Sequence, residues 1–193
     1  MNFQAVLLSV QNGAESKHKI KLFMEKGIVD LLSELGDDEF KEAQRSLIWS
    51  QTGSDARMHI ENAATMFRLA RTKYMSAISS TTRWQQICEA FIGGAKSTSP
   101  LDYPRMINYK KACVSSIFTA ICYGYLKETK AMQDSLNDAR QLFEAYRATS
   151  TSEIASVLLE NTEGFTRQLE QDCKLFAAVI ERIESLNLKN RLT

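Results

Sequence analysis

Residues 60–78 read Ile60-Glu61-Asn62-Ala63-Ala64-Thr65-Met66-Phe67-Arg68-Leu69-Ala70-Arg71-Thr72-Lys73-Tyr74-Met75-Ser76-Ala77-Ile78. Ile60, Ala63, Ala64, Phe67, Ala70, Tyr74, Met75 and Ile78 recur at intervals of mostly three and four residues. That period gathers the apolar groups on one face of an α-helix, and no glycine or proline interrupts it. Thr52 or Ser54 stands where a helix cap is needed, since a hydroxyl there accepts from the unpaired N–H groups of the first turn.

The same period extends in both directions. Toward the N-terminus, Phe3, Val6, Leu7 and Val10 mark a first helix, which Asn12-Gly13 ends or kinks. Ile20, Phe23, Met24, Ile28, Leu31, Leu32 and Leu35 mark a second; Gly36 stands at its expected left-handed C-cap, and Asp37 or Asp38 can cap the next start. Phe40, Ala43, Leu47 and Ile48 form a third helix ending near Gly53. Beyond the quoted stretch, Trp84, Ile87, Cys88 and Phe91 mark a fifth helix, stopped by Gly93-Gly94. Residues 95–103 read as a long loop.

Both prolines of the chain, Pro100 and Pro104, fall at that loop. Pro104 suits the first turn of a sixth helix, where its missing N–H is not required. That helix continues through Ile107, Val114, Ile117, Ile121 and Tyr125. Its stretch from Ala112 to Leu126 is interrupted by Ser115, Ser116 and Thr119 and flanked by Lys110, Lys111 and Lys127, so it reads as a core helix and not a membrane span. Met132, Leu136, Ala139, Phe143 and Tyr146 define a seventh helix, and Ser150 with Glu153 resembles a capping box for the last. In that final segment Ile154 and Leu158 lead into Phe165, Leu169, Phe176, Val179, Ile183 and Leu186, a heptad-like stripe with Asp172 as its polar misfit; Gly164 is a possible break.

No segment alternates with period two, so the expected fold class is all-α: an antiparallel helical bundle, or a short array of helical hairpins, of about seven or eight helices. Residues 1–193 are expected to form a single domain, with 1–95 and 104–193 as potential halves around the Pro100/Pro104 loop. Cys88, Cys113, Cys122 and Cys173 form no C-x-x-C pair and sit among apolar residues, as buried thiols of a reducing cytoplasm do. The brief apolar start has no cationic lead and makes a poor signal peptide.

Two partial motifs carry a family resemblance. Ala63-x-x-x-Phe67-x-x-Ala70, and Ala139-x-x-x-Phe143 preceded by Tyr123 and Leu126, resemble helices of the tetratricopeptide repeat. The pattern departs at Lys127, where the repeat has glycine, and at Lys130, Tyr146 and Thr151. The resemblance implies a protein- or peptide-binding face without catalysis.

Catalytic and metal signatures are sparse. The chain has two histidines, His18 and His59, and one Glu15-x-x-His18 spacing where a di-iron bundle needs two. Gly93-Gly94-Ala95-Lys96-Ser97 is similar to the end of a phosphate-binding loop, but alanines occupy the positions that loop fills with glycine. No nucleophile elbow, paired zinc-ligand spacing or cofactor motif is present, so neither a cofactor nor a metal is expected.

Charge is uneven. Residues 55–130 carry eleven Lys and Arg against five Asp and Glu, 1–54 six against eight, and 131–193 seven against ten. Either the thirds neutralise one another on folding, or the middle presents an anion-binding face. The residues that would form such a face are Arg83, Trp84, Tyr103, Arg105, Tyr109, Lys110 and Lys111, where rings beside cations suit bases or phosphates. The reading these features favour is a non-enzymatic protein-interaction or adaptor module that binds a protein partner or self-associates through the C-terminal helix, residues 165–186. Nucleic-acid or other polyanion binding is the second reading, and an all-helical enzyme or small-ligand bundle the third.

Overall fold

A computed structural model describes residues 14–51, 55–92, 102–150 and 162–191, with side chains described over 27–51, 55–82, 104–150, 164 and 166–185. The described residues form five helices and no strand: α1 (Ala14–Ser50), α2 (Ala56–Ile92), α3 (Asp102–Leu126), α4 (Thr129–Ser150) and α5 (Thr162–Arg191). The all-α class stands; among the described residues the helices number five, where seven or eight were expected over the whole chain.

Two expected breaks are absent. The second and third helices are one, because α1 runs through Gly36, Asp37 and Asp38 without interruption. A glycine inside a helix costs about 1 kcal/mol, which packing readily outweighs. The fourth and fifth helices also merge, in α2. Across their junction the Ser79, Thr81 and Thr82 hydroxyls donate to the carbonyls of Met75, Ala77 and Ile78 at 3.0, 2.8 and 3.1 Å, so the hydroxyl-rich run is satisfied within the helix.

Successive helices lie antiparallel. Trp49 and His59 meet at one end of α1 and α2 with ring centroids 6.0 Å apart, Phe40 and Phe67 in the middle at 5.0 Å, and Asp37 and Tyr74 further along. Phe118 of α3 closes an aromatic trio, 5.1 Å from Phe67 and 5.6 Å from Phe40. Ala43, Ala63 and Ala64 let the backbones approach there.

Helix α3 is central, packing on α1, α2, α4 and α5. Its Ala112, Cys113, Ile117, Ala120 and Cys122 are buried, and so are Ser115, Ser116 and Thr119. Those hydroxyls donate to carbonyls one turn back, at 3.0, 3.1 and 2.8 Å, which lets a helix carrying polar groups be covered on every side. Pro104 sits in its first turn, as expected. The largest buried cluster joins Ala70 and Tyr74 of α2 to residues of α3, α4 and α5, so side chains from before residue 93 and after residue 101 share it.

The turn between α3 and α4 is a Schellman motif. Glu128 N donates to Tyr123 O at 2.9 Å and Lys127 N to Gly124 O at 3.2 Å, with Lys127 at φ 62°. A side chain in that left-handed conformation costs about 1 kcal/mol, and Lys127 is where the tetratricopeptide pattern has glycine. Lys127→Gly is therefore expected to stabilise the chain by about 1 kcal/mol, read as a higher urea midpoint with an unchanged slope; an unchanged or lower midpoint refutes it.

Ser150 closes α4, its hydroxyl donating to Tyr146 O. Glu153, Ile154 and Leu158 lie outside the described residues, as do Phe3–Val10, Thr52, Ser54 and Gly93-Gly94. Gly164 lies inside the first turn of α5 and does not break it. Leu169, Phe176 and Ile180 of α5 are buried, and Val179 and Ile183 pack against the same cluster. Phe176 meets Phe143 at 5.8 Å and Tyr146 at 6.4 Å. Leu169, Phe176, Val179 and Ile183, of the stripe expected to pair with a second copy, thus pack against the chain's own helices; the side chains of Phe165 and Leu186 lie outside those described.

Candidate functional site

The cationic cluster at the start of α3 divides between two neighbours. Lys110 pairs with Asp172 of α5, whose carboxylate also accepts from the Tyr146 hydroxyl at 3.1 Å and the Gln168 amide at 3.2 Å. Lys111 points instead to α1, donating to Asp37 at 2.7 Å and to Ser33 Oγ at 3.2 Å, with its ammonium 5.5 Å from the centre of the Tyr74 ring. The Tyr74 hydroxyl donates to the other Asp37 oxygen at 2.7 Å. Burial, reinforced by that carboxylate, pushes the phenol well above its ordinary value of 10.0.

Arg71 of α2 pairs with Asp138 of α4, and Arg140 of α4 with Glu184 of α5. Arg71 and both lysines belong to the basic middle third, and their carboxylates come from the acidic flanking segments. Tyr109 is half-buried against the main cluster, and Arg105 is also half-buried. Arg83 and Trp84 lie on α2 and Tyr103 on α3, their side chains outside the described residues. Among those described, the structure brings Lys110 and Lys111 to different carboxylates and not to one open face.

An exposed feature lies elsewhere, on α1. On α1 the residues Val29, Gly36, Ala43 and Ser46 are buried, Gly36 against the Tyr74 ring, and Phe40 is half-buried in the aromatic trio. Ile28, Leu31 and Leu35 remain 44, 55 and 40% exposed. They share one face at i, i+3 and i+7, so the apolar row expected to be core is open over this span. Beside it runs a second line, Asp30, Glu34 and Asp38 at i, i+4 and i+8, all exposed. Lys41 reaches Asp38 at 3.4 Å. A smaller apolar group, Ile48, Trp49 and Met58, is exposed where α1 meets α2.

The described thiols are quiet. Cys113 and Cys122 are buried and free, and burial pushes each up to about 12 from 9.0, so neither is a ready nucleophile at neutral pH. The half-buried Cys173 is also raised, chiefly by burial. No group of three His, Cys, Asp or Glu among the described residues is placed to hold a metal ion. No helix among them is long and apolar enough to cross a membrane.

The chain was compared with protein-family models, curated proteins and solved structures, and it matches none of them.

Proposed function

We propose that this chain is a non-enzymatic helical interaction module that holds a protein partner on the outer face of α1. The observation that carries the reading is the open row Ile28, Leu31 and Leu35, three large apolar side chains aligned on one face of a 37-residue helix. A regular helix whose far side is fixed against α2 presents such a row with little ordering cost on binding. The tetratricopeptide resemblance implies the same class of function. The polyanion reading is weaker, because Lys110 and Lys111 already face carboxylates of their own chain.

The test is site-specific photocrosslinking in the full chain, in the cells that make it. Benzoylphenylalanine in place of Leu31 is expected to yield a discrete, saturable adduct on irradiation. The same group in place of Lys130, an exposed residue of α4, should yield none. Equal labelling from the two positions, or none from either, defeats the proposal.

A further inference from the structure

The open row on α1 has a flank rich in carboxylates, with Lys41 against Asp38 at its far end, and the flank narrows what can lie on it. Ile28, Leu31 and Leu35 follow one line along the helix; Asp30, Glu34 and Asp38 follow the adjacent line, next to Leu31. With about 3.6 residues per turn, the two lines run side by side for about two turns. Across from the acidic line, the row borders half-buried Leu32 and Glu39, and beyond them the packed side of the helix.

We propose that the occupant of this face is a basic amphipathic helix of another protein, with apolar anchors spaced for two turns and Lys or Arg along the edge that meets Asp30, Glu34 and Asp38. The inference rests on the docking reading above and adds the chemistry of the partner. A helix in a shallow apolar row is recognised by side chains at i, i+3 or i+4, and i+7, while flanking charges fix its orientation and suppress wrong partners.

Two other occupants fit worse. A second copy of α1 packed antiparallel on this row would set its acidic line against this one, and like charges set opposite one another are repelled. A lipid surface carrying anionic headgroups meets the same repulsion, because helices that lie on such membranes flank their apolar face with Lys and Arg. Three anchors are also far fewer than the 20–30 residues per side of a stable interface. The complex is therefore weak, fast and sensitive to salt.

The experiment uses the full chain and two labelled peptide helices with the same leucine row, one flanked by lysines and the other by glutamates. Binding is followed by fluorescence anisotropy. The lysine-flanked helix should bind about tenfold more tightly than the other at low salt, since three exposed ion pairs are modest individually. Added salt should erase the preference, and the triple variant Asp30→Lys, Glu34→Lys, Asp38→Lys should invert it. Leu31→Ser, neutral in charge, should weaken binding of the lysine-flanked helix. Circular dichroism confirms that these surface variants keep their helix.

Equal affinity for the two peptides, a preference that survives charge reversal, or lysine-flanked binding indifferent to Leu31→Ser each overturns the inference. So does stronger binding of the chain to phosphatidylserine vesicles than to the lysine-flanked helix. If the peptides fail while Leu31 still crosslinks a protein in cells, the inference falls and the docking reading stands; if the adduct is missing too, both fall.

Discussion

Lys110→Met is expected to cost about 2–3 kcal/mol of stability, and adding Asp172→Leu to the same chain should restore most of it. Asp172 is a carboxylate on the inward face of α5, its side chain 10% exposed, while that of Lys110 is 38% exposed. With Lys110 gone, the partners that the described residues leave to the buried carboxylate are the neutral donors Tyr146 and Gln168. Breaking a buried pair costs about 3–5 kcal/mol when the remaining charge is stranded, and the partly solvated lysine lowers that figure here. The two single variants should differ. Asp172→Leu frees an ammonium that can turn toward water, so it costs less than Lys110→Met, which strands its partner. For a chain of this size about 2–3 kcal/mol corresponds to a fall in Tm of roughly 4–12 °C. Urea denaturation of the four proteins decides the matter. Equal costs for the singles, or a double variant whose loss is the sum of both, would show that the pair does not act as argued.

The pair also shows how far the site could be read from sequence. Asp172 was visible as the polar interruption of an apolar stripe, and Lys110 as part of a cationic cluster. Nothing local connected them, because 62 positions separate the two. Likewise the excess of cations in residues 55–130 was legible, but its resolution by Asp37, Asp138 and Asp172 required the helices to be placed. Long regular segments were legible because a period of three to four residues dictates a helix whatever packs on it. Their joins were not: Gly36 read as a C-cap and the apolar stripe as lapsing between Ile78 and Trp84, yet tertiary packing and i−4 hydroxyl bonds carry the helices through.

The row on α1 illustrates a different limit. Periodicity groups Ile28, Leu31 and Leu35 on one face but does not say whether a neighbour exists to cover it. For α5 the neighbour is present, and Leu169, Phe176, Val179 and Ile183 of the stripe belong to the core. For α1 no described residue covers the row over this span, and Ile28, Leu31 and Leu35 stay exposed. The two apolar rows look alike in sequence and have opposite fates, because α5 lies against both α3 and α4, whereas α1 packs mainly on α2.

Gly36→Ala should destabilise the protein by about 2 kcal/mol, against the sign that helix propensity alone would give. Gly36 lies within a 37-residue helix, where alanine is favoured by about 1 kcal/mol. A Cβ at this position would stand 2.5 and 2.7 Å from two carbons of the Tyr74 ring. Tyr74 cannot step aside cheaply: it is 2% exposed, its hydroxyl is held by Asp37, and Lys111 lies over its ring. Relieving the clash means moving α1 off α2 or forcing the ring from its rotamer, and such overpacking costs about 1–3 kcal/mol besides loosening the Asp37 contacts. The decisive comparison is made in a Tyr74→Leu background. Leucine has no ring to meet the added methyl, so there Gly36→Ala should become stabilising by about 1 kcal/mol through propensity alone. Alanine that stabilises in both backgrounds would mean Gly36 does not seat the tyrosine; alanine that destabilises equally in both would place the strain somewhere other than the ring.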